Sequence, residues 1–136
     1  MRLVVDASAL GALYFPEPQS DYVAEALGGC GECHSVDLIY YEFANVVGKR
    51  VVLGELEAGV GRRVVEEAYR LLSTFVMHRA EDLILDAYGL ALDLGITVYD
   101  GAYVAAARRA GAKLLTTDNK LISALRNRGL SSLVAR

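Results

Sequence analysis

The sequence has no membrane-length apolar run: nowhere do about 18 uncharged apolar residues stand together, so no spanning helix is expected. It is also poor in cysteine. Cys30 and Cys33 are the only two, and with a strand expected almost at the first residue no export signal is expected. That excludes a disulfide-built secreted scaffold. There is no low-complexity tract, which argues against disorder. Nor is there an excess of positive charge: 14 Lys and Arg stand against 17 Asp and Glu, a net charge of −3. The overall field therefore does not attract a polyanion, and such a ligand would need a local basic patch or bound cations. The expectation is a soluble cytoplasmic protein with no membrane association.

What is present is apolar sequence, 54% of 136 residues, enough for one domain over residues 1–136 with one substantial core. Its patterning alternates between strand and helix. Leu3–Val5 is a short β-branched run followed by a helix to Tyr14, which Pro16 and Pro18 end. Ser20 is placed to cap a helix that stops at Gly28-Gly29. Cys33–Val36 reads as a strand and Asp37 as the cap of a helix reaching about Leu53. Leu56–Phe75 and Glu81–Leu94 carry apolar residues at helical spacing, with a short strand between them near Phe75–His78. Ile96–Tyr99 is a further β-rich run, and Asp100 opens a small-residue helix to Ala110. Lys113–Thr117 reads as a strand, Asn119–Arg128 as a helix and Ser132–Ala135 as a last strand. Such alternation predicts an α/β fold around a mainly parallel sheet.

In such a sheet the carboxyl ends of the strands share one edge, where ligands bind. Asp6 and Asp118 each end a strand and precede a helix, so they should meet there. Asp100 opens its helix in the same manner. Each of the three is also an ordinary helix cap, its carboxylate accepting free backbone amides. Glu42 differs. It sits in "DLIYYEFANVV", read as well inside a helix, where no cap is needed, with Asn45 at i+3 on the same side.

"VVDASAL", "YYEFANVV", "YDGAYVAAA" and "LLTTDNKL", in that order and spacing, resemble the motifs of PIN domains, in particular the small ribonucleases of VapC-type toxin–antitoxin pairs. The resemblance covers essentially the whole chain and implies a three-layer α/β/α fold. It places the family's acids at Asp6, Glu42, Asp100 and Asp118, with Ser8, Asn45 and Thr117 (preceded by Thr116) as supporting residues. Some relatives carry one more acid after the last; Asn119 and Lys120 stand there instead.

The resemblance further implies an RNA substrate, products with a 5′-phosphate and a 3′-hydroxyl, a homodimer and an inhibitory antitoxin reaching into the acidic groove. Four gathered carboxylates call for a counter-charge, since two unit charges about 5 Å apart at an effective dielectric near 20 repel by roughly 3 kcal/mol. Mg²⁺ or Mn²⁺ suits an all-oxygen site. A PIN-like RNA-binding or assembly subunit with little catalysis is the alternative.

Other features stay open. Lys49, Arg50, Arg108, Arg109 and Lys120 either bind phosphates around the acids or are solvated helix ends. "CGECH" matches a haem-attachment pattern and contains the C-x-x-C spacing. Its plainest reading is a loop with two small, partly buried thiols, a local disulfide being the alternative, and His78 reads as structural or surface. Tyr40, Tyr41 and Tyr103 flank the acids and either stack on bases or pack in the core with the hydroxyl at its rim. "LGALYF" in the first helix is a candidate surface for a partner chain.

Overall fold

The computed structural model describes residues 1–135. Strands β1 (Arg2–Val5), β2 (Glu32–Val36), β3 (Val76–His78) and β4 (Lys113–Leu115) form one sheet in the order β3-β2-β1-β4. All three pairings are parallel. Each strand is followed by a helix: α1 (Ala7–Tyr14) and α2 (Ser20–Gly28) after β1, and α3 (Ile39–Val52) and α4 (Ala58–Leu72) after β2. After β3 come α5 (Ala80–Leu94) and α6 (Val98–Ala110), and after β4 comes α7 (Asn119–Asn127) with a short 3₁₀ turn at Ser131–Leu133. The sheet is more regular than expected, parallel throughout.

Period-two alternation gives the two faces. Leu3 and Val5 of β1 pack on one side with Ala9 and Ala12 of α1 and Val23 of α2. Val4 packs on the other with Ile39 and Phe43 of α3, Leu83 of α5 and Tyr103 of α6. This is the expected three-layer α/β/α arrangement. Full burial of side chains such as Leu10, Leu83 and Leu114 contributes roughly 1.5–3 kcal/mol each.

Several local expectations are corrected. Ile96–Tyr99 is not a strand: the Thr97 hydroxyl accepts the Asp100 N–H at 3.1 Å and starts α6 at Val98. Asp100 therefore lies in the first turn of that helix rather than at its cap. Ser132–Ala135 forms only an isolated bridge, Val134 against Leu114, because the 3₁₀ turn consumes the preceding residues. Ser20 does not cap α2; its hydroxyl accepts the Glu17 N–H and donates to the Phe15 carbonyl, closing the turn after Pro16. Asp37 does not cap α3 either. Its carboxylate accepts the Ala80 N–H at 2.9 Å and so caps the more distant α5, which β3 brings alongside. "LGALYF" is no exposed surface: Leu10, Gly11, Ala12 and Phe15 are buried, because α1 packs against the sheet and touches both α2 and α3.

One glycine governs how α6 sits. A Cβ on Gly101 would lie 2.4 Å from the Ala87 carbonyl oxygen, so the residue after Asp100 must be glycine for α6 to cross α5 this closely. Among the described residues no single helix is long and apolar enough to cross a membrane.

Candidate active site

β1 and β4 are neighbours, with Val5 opposite Leu115, and the Asp6 N–H continues the ladder to the Leu115 carbonyl at 3.2 Å. Asp6 and Asp118 thus leave the same sheet edge side by side. Both are helix caps as well. Asp6 Oδ1 accepts the Ala9 N–H, and Asp118 Oδ1 accepts the N–H groups of Lys120 and Leu121. The capping and site readings are compatible, since a cap uses one oxygen and leaves a carboxylate at the strand end.

A hydroxyl network ties the two aspartates together. Ser8 Oγ donates to Asp6 Oδ1 at 2.7 Å and accepts the Thr117 backbone N–H at 3.0 Å. Thr116 Oγ1 lies 3.1 Å from Ser8 Oγ and accepts the Asp118 N–H. Either hydroxyl can donate in the Ser8–Thr116 contact, and the Thr116 hydroxyl also acts on the Asp6 carboxylate. The expected supporting hydroxyl Thr117 takes part through its backbone; Thr116, buried at the end of β4, supplies the side chain. Strand alternation next to Asp118 was the signal for it, because Thr116 and Asp118 stand two residues apart and share a side.

Glu42 and Asp100 come from α3 and α6. Glu42 is not well inside its helix: α3 begins at Ile39, which puts Glu42 in the first turn. Its Oε1 accepts the Tyr103 hydroxyl at 2.6 Å. Tyr103 is 1% exposed, a core tyrosine with its hydroxyl at the acidic floor. Asn45 is exposed, and its side chain makes no hydrogen bond to another described residue. Tyr41 is no core residue, standing 82% exposed beside Glu42, whereas Tyr40 packs against Tyr69.

Asp6, Glu42 and Asp100 are each raised, in part by a neighbouring acid. Burial above all, and the charge of Asp100 to a smaller degree, push the Asp6 carboxyl up to about 6, while the hydroxyls of Thr116 and Ser8 and the Ala9 N–H pull the other way. Glu42 is raised by burial and by Asp100, against the Tyr103 hydrogen bond. Asp100 is raised by burial and by the charge of Asp118, against the Thr97 hydroxyl. No Lys or Arg relieves them: among the described residues none of the four forms an ion pair. Hard oxygen donors with uncompensated charge are chemically suited to Mg²⁺ or Mn²⁺. Yet among the described residues no three His, Cys, Asp or Glu side chains are drawn close enough to hold an ion as they stand.

The basic residues divide. Arg108 and Arg109 end α6, eight or nine residues beyond Asp100 and so roughly 12 Å along the helix. Arg109 donates to the Asp82 carbonyl and pairs with Asp86. The Arg50 guanidinium lies over the Phe15 ring at 4.2 Å. Lys49 and Lys120 remain exposed near Glu42 and Asp118 in sequence.

The "CGECH" cysteines are not free thiols: Cys30 and Cys33 pair with each other, with Cα atoms 6.0 Å apart. His34 is buried between Glu32 (2.6 Å) and His78 (2.9 Å), which gives both histidines a structural place.

Fold and site together define a parallel α/β/α domain that collects carboxylates from four elements at the carboxyl edge of its sheet. The chain belongs to the PIN-domain family, whose profile matches residues 3–126. Ribonuclease VapC3 of Pyrobaculum aerophilum is 42% identical over 121 residues, which is 89% of this chain and 92% of that protein. Among solved structures, PAE2754 from Pyrobaculum aerophilum superposes with a TM-score of 0.68 at 23% identity, covering 98% of this chain and 89% of that one. A toxin–antitoxin complex from Klebsiella pneumoniae superposes with a TM-score of 0.64 at 16% identity, covering 89% and 90%. These two likenesses are likenesses of fold.

Proposed function

We propose that residues 1–136 act as one domain, a divalent-metal-dependent endoribonuclease that is the toxin of a VapBC-type toxin–antitoxin pair. The observation that carries this reading is the gathering of Asp6, Glu42, Asp100 and Asp118 without an ion-pair partner among the described residues, the first three being raised by burial and by a neighbouring acid. Membership of the PIN family and the likeness to a VapC ribonuclease support RNA as the substrate.

Asp6, Glu42, Asp100 and Asp118 are the residues that would hold Mg²⁺ or Mn²⁺. When bound, the ion supplies Lewis-acid stabilisation of charge on the phosphate and a lowered pKa for water. The chain's own residues prepare that site. Ser8 and the Ala9 N–H fix one oxygen of Asp6; the α7 amides fix one oxygen of Asp118. Thr116 and the Thr117 N–H hold Ser8, so that the two aspartates keep a constant spacing. Asn45 and the exposed Tyr41 lie on the Glu42 helix, where Tyr41 offers a face for an unstacked base. Lys49 and Lys120 supply positive charge at the rim. An antitoxin is the partner proposed to cover this groove, and the cytoplasm the place of action. Self-association fits the outer face of α5, where Ile84, Leu85, Tyr88 and Leu92 are exposed at helical spacing.

Purified protein should cleave RNA with Mg²⁺ or Mn²⁺, leaving 5′-phosphate ends, and lose the activity with EDTA. Persistence of cleavage in Asp6→Asn, once contaminating nuclease is removed, would overturn the site. A second reading, an RNA-binding or assembly subunit with little catalysis, is favoured by Asn119 and Lys120 in place of a further acid. The open spacing of the carboxylates points the same way. A Mn²⁺ titration without binding at the cluster would select it.

A further inference from the structure

The four acids are not held alike. Asp6 and Asp118 are each fixed by N–H groups of the helix they cap. Asp100 faces the Thr97 hydroxyl one turn back in its own helix. Glu42 has no such local donor. It is the longest of the four and half-buried, and nothing in α3 donates to its carboxylate among the described residues. A free glutamate of that length has three rotatable bonds and an entropic preference for many rotamers. Its one hydrogen bond comes from a different element: the Tyr103 hydroxyl on α6, 2.6 Å from Oε1. Tyr103 follows Asp100 by three residues and so shares its face of α6. With 1% exposure, its ring is buried in the core cluster that also holds Val4 of β1 and Ile39 and Phe43 of α3.

We propose that Tyr103 is a positioning residue for the acidic site: its phenol pins Glu42 Oε1, which leaves Oε2 to face a cation or the water beside it. The inference rests on the metal-nuclease reading above and adds the residue that sets the geometry of its most mobile ligand. It also explains why a core position carries a polar atom where phenylalanine would fill nearly the same volume. A buried hydroxyl is kept only with a partner, and here the partner is a site carboxylate rather than a backbone group.

The test uses the full chain and Mn²⁺ as the probe, read by calorimetry and by electron paramagnetic resonance of free Mn²⁺. Tyr103→Phe should weaken Mn²⁺ binding roughly 10–100-fold, the range for residues that orient a ligand. Glu42→Gln should weaken it at least as much, and the double variant should be no weaker than Glu42→Gln alone. Should Tyr103→Phe fail to fold, 3-fluorotyrosine placed at position 103 keeps the shape. Its ¹⁹F resonance should then move on Mg²⁺ addition, and stay fixed when Glu42→Gln is also present. Unchanged Mn²⁺ affinity in Tyr103→Phe, with a loss in Glu42→Gln, would reduce Tyr103 to a packing residue and leave the site reading intact. Unchanged affinity in both would overturn Glu42 as a ligand and the proposal with it.

Discussion

Asp6 is 4% exposed and carries its proton up to about pH 6, against an ordinary value of 3.8. Between those values the folded chain keeps a proton that the unfolded chain releases. The stabilisation from this group is therefore complete below pH 3.8 and is lost as pH rises through 6, a difference of about 3 kcal/mol. Asp6→Asn keeps the oxygen that accepts from Ser8 and Ala9 but cannot ionise. In EDTA it should raise the melting temperature near pH 7.5 and leave it unchanged near pH 3.5, while abolishing RNA cleavage. Equal effects at both pH values would show that burial of charge is not the cause. Thr116→Val tests the hydroxyl network at the same scale. It removes the hydroxyl that contacts Ser8 and takes its acceptor from the Asp118 N–H, and should cost roughly 1–3 kcal/mol in urea unfolding, with reduced cleavage. The placement of Asp6 and Asp118 at neighbouring strand ends was legible from the sequence. Thr116 over Thr117 was not, because adjacent hydroxyls differ only in which face the end of β4 gives them.

Helix α6 shows how an element delivers a side chain. Thr97 starts it, Gly101 lets it press on α5, and Asp100 and Tyr103 then point to the same floor. Gly101→Ala would drive a methyl into the Ala87 carbonyl at 2.4 Å, and should cost about 1–3 kcal/mol while displacing Asp100. Gly89→Ala is the control: it lies in the middle of α5 with nothing within 4 Å of the new Cβ. It should stabilise by roughly 0.5–1 kcal/mol through helix propensity and unfolded-state entropy. Thermal melts of the two variants should move in opposite directions. Most element positions followed from periodicity and breakers, but several caps did not. Asp37 has the composition of a local cap and serves a helix 43 residues away, because β2 and β3 pair in parallel and bring Ala80 to it.

The molecule as a whole exposes an apolar stripe on α5, with Leu85 84% exposed and Ile84, Tyr88 and Leu92 along the same face. If that stripe is the dimer face, Leu85→Asp with Leu92→Asp should convert a dimer to a monomer by light scattering and leave the monomer's melting temperature nearly unchanged, since neither side chain is in the core. A dimer that survives both changes would move the interface elsewhere. The first helix was the expected surface and is instead buried, because apolar composition alone does not say which side of a thin helix another layer will cover. By itself the sequence determined the alternation of strands and helices, the edge where Asp6 and Asp118 meet, and the family motifs, all of which follow from local period and spacing. Only the tertiary structure decided that Glu42 accepts from the Tyr103 hydroxyl, that Thr116 lies between Ser8 and Asp118, and that Arg109 of α6 turns toward α5. Those are contacts between elements far apart in the chain, and only packing fixes which faces meet.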